Sequence, residues 1–266
     1  MTLNHRLPQE ILDNIIDLLH DDPDALEKCC LVSKSWVPRT RKHLFAVVVF
    51  CTLVGIQAWK ETFPDPSGSP GYHTRALIVN CPEAVTQADA EEGGWIRAFS
   101  CVVYLELDNY LSLGLYLDEE SKVSLAPFHK FSPTLKSLAV ASFFLSRSEV
   151  FGLIPSFPHL EDLTLIGNDI ISDEPDELET VVPPSNSPAL TGSLELAMSG
   201  GVAGIVRRLL VLPNGVHFQD VKMCWAEEED IRSAAELVTG CSETLEHLDL
   251  RYQLTGTVYS VRANIG

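Results

Sequence analysis

An apolar pattern with a long period runs through the chain and limits its possible folds more than any other feature. In strict or relaxed form the pattern is Leu-x-x-Leu-x-Leu. The middle positions of its seven units are separated by 28, 33, 25, 31, 27 and 27 residues, and they are Leu77, Leu105, Leu138, Leu163, Leu194, Val221 and Leu248. This spacing suits one strand and one return segment per unit, so it predicts a stack of parallel strands. Val47 lies 30 residues before Leu77 and predicts an opening strand.

The units resemble leucine-rich repeats, whose periods run from about 20 to 29 residues. Three units, which begin at Leu135, Leu160 and Leu245, match that pattern well, and several others match it in relaxed form. The resemblance implies an α/β fold in which residues 47–266 form an irregular leucine-rich-repeat solenoid with a parallel sheet. An ordinary α/β domain with leucine-rich strands is the alternative.

Three short helices are predicted before these units. In the first helix, apolar residues recur at three- and four-residue steps, which place their side chains along one stripe. Those residues are Ile11, Leu12, Ile15, Ile16 and Leu19. Pro8 suits the first turn of this helix. Asp24 and Glu27 resemble a capping box that opens the second helix. The third helix should begin near Ser35, with Pro38 in its first turn.

A segment of about 40 residues rarely buries enough apolar surface to fold by itself. The three helices should therefore pack on another surface. One interpretation is an ordinary helical subdomain that packs on the rest of the chain. The other is a helical face that stays partly open for a partner, and the helix pattern alone does not choose between them.

The order of residues between Leu7 and Phe45 resembles an F-box. The matching segments are Leu-Pro-Gln-Glu-Ile-Leu-Asp-Asn-Ile-Ile-Asp-Leu-Leu from Leu7, Cys-Cys-Leu-Val-Ser-Lys-Ser-Trp up to Trp36, and Lys-His-Leu-Phe up to Phe45. In F-box proteins this module binds a Skp-type adaptor, which is carried by a cullin scaffold together with a RING subunit and a ubiquitin-charged conjugating enzyme. The resemblance implies an F-box over residues 1–46.

The resemblance also implies which residues contact the adaptor. They are Leu7, Pro8, Ile11, Ile15, Leu31, Val32, Ser33 and Trp36. Ile15 and Trp36 are also candidates for the core of the module itself. The implied function is the substrate-recognition subunit of an SCF-type cullin-RING ubiquitin ligase. The alternative is an F-box-containing interaction protein that joins the adaptor without delivering a substrate for ubiquitylation.

In the predicted strands, alternate residues point into the stack and the residues between them face outward. Solenoids commonly bind partners on the outward face, so its polar residues are the candidates for substrate binding. The six candidates are Glu106, Asp108, Asp162, Glu195, His247 and Asp249. Outward residues of a soluble repeat protein should be polar in any case, so we expect only a minority of them to be contacts.

The formal net charge of −18 lies mostly in the repeat-like region. Residues 1–45 contain six Lys or Arg and seven Asp or Glu, a net charge of −1, which leaves −17 for residues 46–266. This acidity disfavours nucleic acid, because phosphate binding requires clustered Lys or Arg, and it would steer a basic substrate toward the repeats. Residues 172–188, with four prolines, indicate a mobile acidic insertion, for which a solvated loop is the simpler interpretation.

Composition indicates a cytoplasmic or nuclear protein without a membrane span. No secretory signal is recognised. The strongest membrane candidate, residues 44–56, is thirteen residues long, whereas a bilayer needs about 20. Within it, residues 47–49 are better interpreted as a buried strand. Seven cysteines without a Cys-x-x-Cys spacing predict reduced, buried side chains rather than disulfides or a zinc site.

Motifs for enzymatic chemistry do not occur in the sequence. It contains no Gly-x-Ser-x-Gly elbow, no Gly-Lys-Ser/Thr phosphate loop and no His-Glu-x-x-His helix. Gly200, Gly201 and Gly204 lack a fingerprint spacing and predict a turn after the strand at Leu194. We therefore expect a protein that is not an enzyme and needs no cofactor or metal. A hydrolase or transferase on an α/β scaffold is the remaining alternative.

Two predictions concern the last forty residues. Glu227, Glu228, Glu229 and Asp230 precede an apolar stripe and should open a helix, because negative charge suits a helix N-terminus. After Leu250 only sixteen residues remain, although an open stack normally needs a polar cap. Either residues 254–265 improvise that cap, or the chain is a shortened product.

Overall fold

One nine-stranded sheet organises the computed structural model, which describes residues 8–91, 94–108, 125–141, 147–167, 189–197, 201–225, 229–254 and 257–265. Within these residues the fold is mixed α/β, with eight α-helices and several short 3₁₀ turns. Among the helices described, none has both the length and the apolar character needed to cross a membrane. The predicted insertion at residues 172–188 lies outside the described residues.

Three short helices precede the sheet, and they are α1 (Gln9–Asp17), α2 (Pro23–Val32) and α3 (Val37–Leu44). Pro38 lies in the first turn of α3, as predicted. The predicted cap of α2 is wrong, because Asp22 rather than Asp24 caps the helix. The Asp22 carboxylate accepts a hydrogen bond from the Ala25 backbone N–H at 2.9 Å. Pro23 then occupies the first helical position, where its missing N–H costs little.

Backbone and aromatic contacts join these helices to the sheet. The Ala46 carbonyl, which follows α3, accepts hydrogen bonds from the backbone N–H groups of Arg75 and Ala76 at 2.8 and 3.0 Å. The Phe45 ring meets the Trp59 ring edge-on, with centroids 6.0 Å apart. The helices are therefore anchored on the rest of the chain, as a unit of this size requires.

The nine strands lie side by side in chain order. They are β1 (Val47–Phe50), β2 (Ala76–Val79), β3 (Tyr104–Asp108), β4 (Ser137–Ala141), β5 (Asp162–Ile166), β6 (Ser193–Ala197), β7 (Asp220–Trp225), β8 (His247–Leu254) and β9 (Thr257–Asn264). Strands β1 to β8 pair in parallel, whereas β9 is antiparallel to β8. Only two residues separate β8 from β9, and so short a connection joins only antiparallel strands.

The register of the parallel strands follows the predicted middle positions. Neighbouring strands align these residues with one another in the order Leu77, Leu105, Leu138, Leu163, Leu194, Val221 and Leu248. The opening strand is present, but the residue aligned with Leu77 is Val48 rather than Val47. A shift of one residue reverses the face of a strand residue, because side chains alternate.

Helices and 3₁₀ turns return the chain between strands. The helices are α4 (Leu53–Thr62), α5 (Gln87–Ala90), α6 (Arg147–Leu153), α7 (Val202–Leu210) and α8 (Glu229–Gly240). Helix α4 was not predicted, and it follows Thr52, whose hydroxyl accepts a hydrogen bond from the Gly55 N–H at 3.2 Å. The predicted glycine turn after β6 includes Gly201, which has a φ of 75° and directly precedes α7. Helix α8 begins at Glu229, within the predicted acidic segment.

One apolar core lies between the return segments and the inward face of the sheet. In β3, β5 and β6, fully buried residues alternate with partly exposed ones. This alternation is expected for a sheet that is covered on one face. The cysteines follow the prediction only in part, since all seven are free thiols but Cys51 is exposed and just three are buried.

Candidate functional site

Helix α1 presents aliphatic side chains to solvent. Ile11, Ile15 and Leu18 are 45, 41 and 82 % exposed, and steps of four and three residues place them on one stripe of the helix. Pro8 is exposed directly before the helix. Leu7, the remaining predicted contact at this end, lies outside the described residues.

The end of α2 adds a second exposed aliphatic pair. Leu31 and Val32, in the last turn of the helix, are 88 and 66 % exposed. Ser33 follows in extended conformation, and its hydroxyl forms a hydrogen bond with the Ser35 hydroxyl at 3.0 Å. Trp36 is half-buried at the start of α3. Four of the predicted adaptor contacts therefore lie around the connection between α2 and α3.

The core of the three-helix unit uses other side chains. Ile16, Leu26 and Cys29 are buried. Ile15, which was also a candidate for this core, faces outward instead, because one residue along a helix turns a side chain by about 100°. Leu18 was missing from the predicted contacts, although its spacing from Ile15 in the sequence places it on the same stripe.

A polar network ties α1 to α3. Asp17, the last residue of α1, accepts a hydrogen bond from Arg39, whose Nε lies 2.6 Å from Asp17 Oδ1, and Arg39 Nη2 reaches the other carboxylate oxygen. His43 Nε2 lies 2.7 Å from Asp17 Oδ1. These hydrogen bonds, that of Arg39 first, hold the pKa of the Asp17 carboxyl far below its usual range. The network fixes how α1 meets α3.

Asp17→Asn should lower the free energy of unfolding by about 1 kcal/mol at pH 7, a value discounted for the partial exposure of the network. Because the pKa of Asp17 is lower in the folded than in the unfolded chain, its contribution is complete above the unfolded value of about 4 and declines as the pH falls below it. Urea unfolding of both proteins at pH 7 and pH 3 measures the difference. A difference that stays constant between the two pH values would contradict this role.

One face of the sheet, which we call the open face, consists of the strand side chains that alternate with the core residues. All six predicted substrate-binding residues lie on it. Cross-strand pairing places Glu106, Glu195 and Asp249 in one row, and Asp162 and His247 in the row beside it. Asp108 lies at the end of β3, opposite Ala141. The sheet thus brings together residues that are far apart in the sequence.

Two carboxylates of the open face bond to their neighbours. Glu106 accepts a hydrogen bond from the Tyr104 hydroxyl at 2.5 Å, and burial together with this bond raises the pKa of Tyr104. Asp249 lies 2.7 Å from Arg251 Nη2 and 3.2 Å from Arg262 Nε. The hydrogen bond from Arg251 contributes most to a lowered pKa of Asp249. The charge of Asp249 is therefore balanced within the chain.

Asp162 joins three strands. Its Oδ2 accepts a hydrogen bond from the Ser137 hydroxyl of β4 at 2.6 Å. Its Oδ1 accepts hydrogen bonds from the Ser193 backbone N–H and hydroxyl of β6 at 2.7 and 3.0 Å. Gly192 passes so close that an added Cβ would lie 2.2 Å from this oxygen. These contacts give Asp162 a structural role, whereas the sequence pattern predicted only that its side chain faces outward.

Asp162→Ala is expected to lower the free energy of unfolding by about 2 kcal/mol, because the backbone N–H and two hydroxyls lose a charged acceptor. His247→Ala is the matched control, since His247 lies in the same row and is exposed. It should change stability by less than about 0.5 kcal/mol. Equal stability of the Asp162 variant and the wild type in urea unfolding would show that the hydrogen bonds contribute nothing.

The first strands of the open face are more apolar than predicted. Val47 and Val49 of β1 are exposed, so residues 47–49 do not form a strand buried on both faces. The return segments that the structure describes pack on the other side of the sheet, which leaves alternate valines of β1 in solvent. Ile78 of β2 pairs with Val49, and Ile166 of β5 is exposed on the same face. These aliphatic residues were not among the predicted contacts.

The described residues contain no set of three or more His, Cys, Asp or Glu side chains that could hold a metal ion. His129 Nδ1 lies 2.8 Å from the Ser156 hydroxyl, and burial lowers the pKa of His129. This contact joins two return segments. A nucleophilic serine would further need a base oriented by a third group and donors for an oxyanion.

A scan against protein-family models and a search of curated proteins each found no match for the chain. The assignment of function therefore depends on the surfaces described above. The most informative are the aliphatic residues exposed on α1 and α2 and the open face of the sheet.

Proposed function

We propose that the chain is an F-box protein and serves as the substrate-recognition subunit of an SCF-type cullin-RING ubiquitin ligase. Helices α1 to α3 bind a Skp-type adaptor. The open face of a leucine-rich-repeat-like sheet holds a protein substrate. The chain itself forms or breaks no bond, and ubiquitin transfer belongs to the other subunits.

The observation that carries this proposal is the exposed aliphatic surface of the N-terminal helices. It comprises Ile11, Ile15, Leu18, Leu31 and Val32. Burying a side chain of this size is worth about 1.5–3 kcal/mol, so five such residues in one small unit favour a partner that covers them. An ordinary helical subdomain would be expected to turn these residues toward its own chain. The same segment has the residue order of an F-box.

The junction between helices and sheet also supports the proposal. Backbone hydrogen bonds from Arg75 and Ala76 to Ala46, and the contact of Phe45 with Trp59, hold α3 against the first strands. A substrate on the open face would therefore keep a defined position relative to the adaptor. Such positioning raises the effective concentration of substrate lysines near the charged enzyme, without a catalytic residue in this chain.

Reconstitution from purified proteins tests the proposal. The full chain should co-elute with a Skp-type adaptor in gel filtration, and the assembled ligase should ubiquitylate a bound partner. Failure to form a complex with the adaptor would contradict the proposal. Candidate partners are recovered by affinity purification under proteasome inhibition. If the chain binds the adaptor but none of these partners is ubiquitylated, an interaction protein that delivers no substrate is favoured instead. Catalytic turnover by the isolated chain would contradict both.

A further inference from the structure

The open face has two halves of different chemistry. Strands β1 to β6 contain no Lys or Arg. Strands β7 to β9 carry Lys222, Arg251 and Arg262, and the two arginines neutralise Asp249. A partner therefore meets a surface without strand cations over the first six strands, although Glu195 of β6 lies opposite Lys222 of β7, and a charge-balanced surface beyond them.

The first half also exposes aliphatic side chains. Val47 and Val49 of β1 are exposed, Ile78 of β2 is half-buried beside Val49, and Ile166 of β5 is exposed. Val47, Val49 and Ile78 lie together at the β1 edge of this face, and such an aliphatic group in contact with solvent favours a partner that covers it. The backbone of this face already pairs within the sheet, so side chains must provide the contacts.

Carboxylates border the small residues in the middle of this half. In one cross-strand row, Glu106 on β3 is followed by Ala139, Thr164 and then Glu195 on β6. Adjacent strands lie about 4.8 Å apart, so the two glutamates are separated by roughly 14 Å across the small side chains. Ala139 is buried and Thr164 is half-buried, so the two carboxylates stand on either side of residues that expose little surface.

From this arrangement we infer that the open face of β1 to β6 binds a segment of a partner protein whose aliphatic residues are flanked by Lys or Arg. Its aliphatic side chains pack on Val49, Ile78 and Ile166, and its cations approach Glu106. The inference rests on the proposed function only in identifying that segment as part of the substrate. Charge complementarity selects this partner, since the net charge of −18 opposes a second copy of the chain or an acidic protein.

Two synthetic peptides of equal length test the inference. One is a helical repeat of Leu and Lys, and the other has Glu in place of every Lys. Fluorescence anisotropy with the full chain should detect binding of the Leu/Lys peptide, weakened by added salt, and much weaker binding of the Leu/Glu peptide. Equal binding of the two peptides would overturn the inference.

Matched variants locate the site. Ile166→Lys should weaken binding of the Leu/Lys peptide about tenfold, because it removes apolar area and adds a cation. Val211→Lys is its control, since Val211 is exposed after α7 and away from the sheet face. Glu106→Gln should weaken binding about threefold, whereas Glu243→Gln removes the same charge from an exposed turn. If either control weakens binding as much as its partner variant, the assigned surface is wrong.

Adaptor binding by the same variants separates this inference from the proposed function. Ile166→Lys and Glu106→Gln should still co-elute with a Skp-type adaptor. If the wild-type chain binds the adaptor but binds the two peptides equally, only the inference is overturned. If the wild-type chain binds the Leu/Lys peptide selectively but does not bind the adaptor, the inference is supported and the proposed function is contradicted.

Discussion

Leu163→Ala is expected to lower the free energy of unfolding by about 3–5 kcal/mol. Leu163 is the second residue of β5, is fully buried, and is aligned with Leu138 of β4 and Leu194 of β6. Both neighbours are held in place by the hydrogen bonds of the sheet, so they cannot move far enough to fill the space. The variant therefore loses the transfer free energy of the removed carbons and also keeps a cavity. Urea unfolding followed by circular dichroism measures the loss.

Thr164→Ala is the matched control, because Thr164 is the next residue of the same strand and points to the open face. Its effect should stay within about 0.5 kcal/mol. Similar losses for the two variants would contradict the assignment of the two faces of β5. The slope of the unfolding transition with urea should be the same in both variants, since neither changes how much surface is exposed on unfolding.

The strands were the most predictable part of the fold. A buried strand position must be apolar and must recur once per repeat, so seven middle positions could be located from spacing alone. The opening strand was misaligned by one residue because Val47, Val48 and Val49 have the same side chain. In such a run, alternation cannot identify the inward residue, and only the pairing of Val48 with Leu77 decides it.

Capping and exposure were less predictable, for physical reasons. Asp22 and Asp24 are both suitable caps, and the position of Pro23 at the first helical residue selects Asp22. Helix α4 was missed because Leu53, Val54 and Ile56 continue the apolar run of β1. The helix begins after Thr52, whose hydroxyl caps it by accepting a hydrogen bond from the Gly55 N–H.

The candidate site shows the same limit. A stripe of aliphatic residues marks a surface to be buried, but the sequence does not say whether the chain or a partner buries it. Ile15 and Ile16 are chemically identical neighbours, and only packing shows that Ile16 fills the core while Ile15 faces solvent. In the same way, Asp162 resembles the other outward carboxylates until its hydrogen bonds to Ser137 and Ser193 are known.

The double substitution Ile11→Asp and Ile15→Asp is expected to weaken binding to a Skp-type adaptor by about a hundredfold or more. Both side chains lie on the exposed stripe of α1, where the proposed interface would remove them from water. A carboxylate in that position must be desolvated without a partner charge, which is costly. Both side chains are about half covered by the chain, so the variant should lose some stability but stay folded, because Ile16, Leu26 and Cys29 still fill the core; circular dichroism checks that the helices remain. Isothermal titration calorimetry with purified adaptor measures the affinity.

Further variants define the extent of the adaptor surface. Leu31→Asp should weaken adaptor binding, because Leu31 lies at the end of α2. The predicted start of the module is tested by Leu7→Asp and by Pro8→Ala combined with Ile11→Asp, which should also weaken adaptor binding. Val54→Asp is the control, because Val54 is also an exposed aliphatic residue but lies on α4, outside the three helices. It should leave adaptor binding unchanged. Full adaptor affinity in the Ile11 and Ile15 double variant, or the same loss in Val54→Asp, would show that the exposed stripe of α1 is not the binding surface.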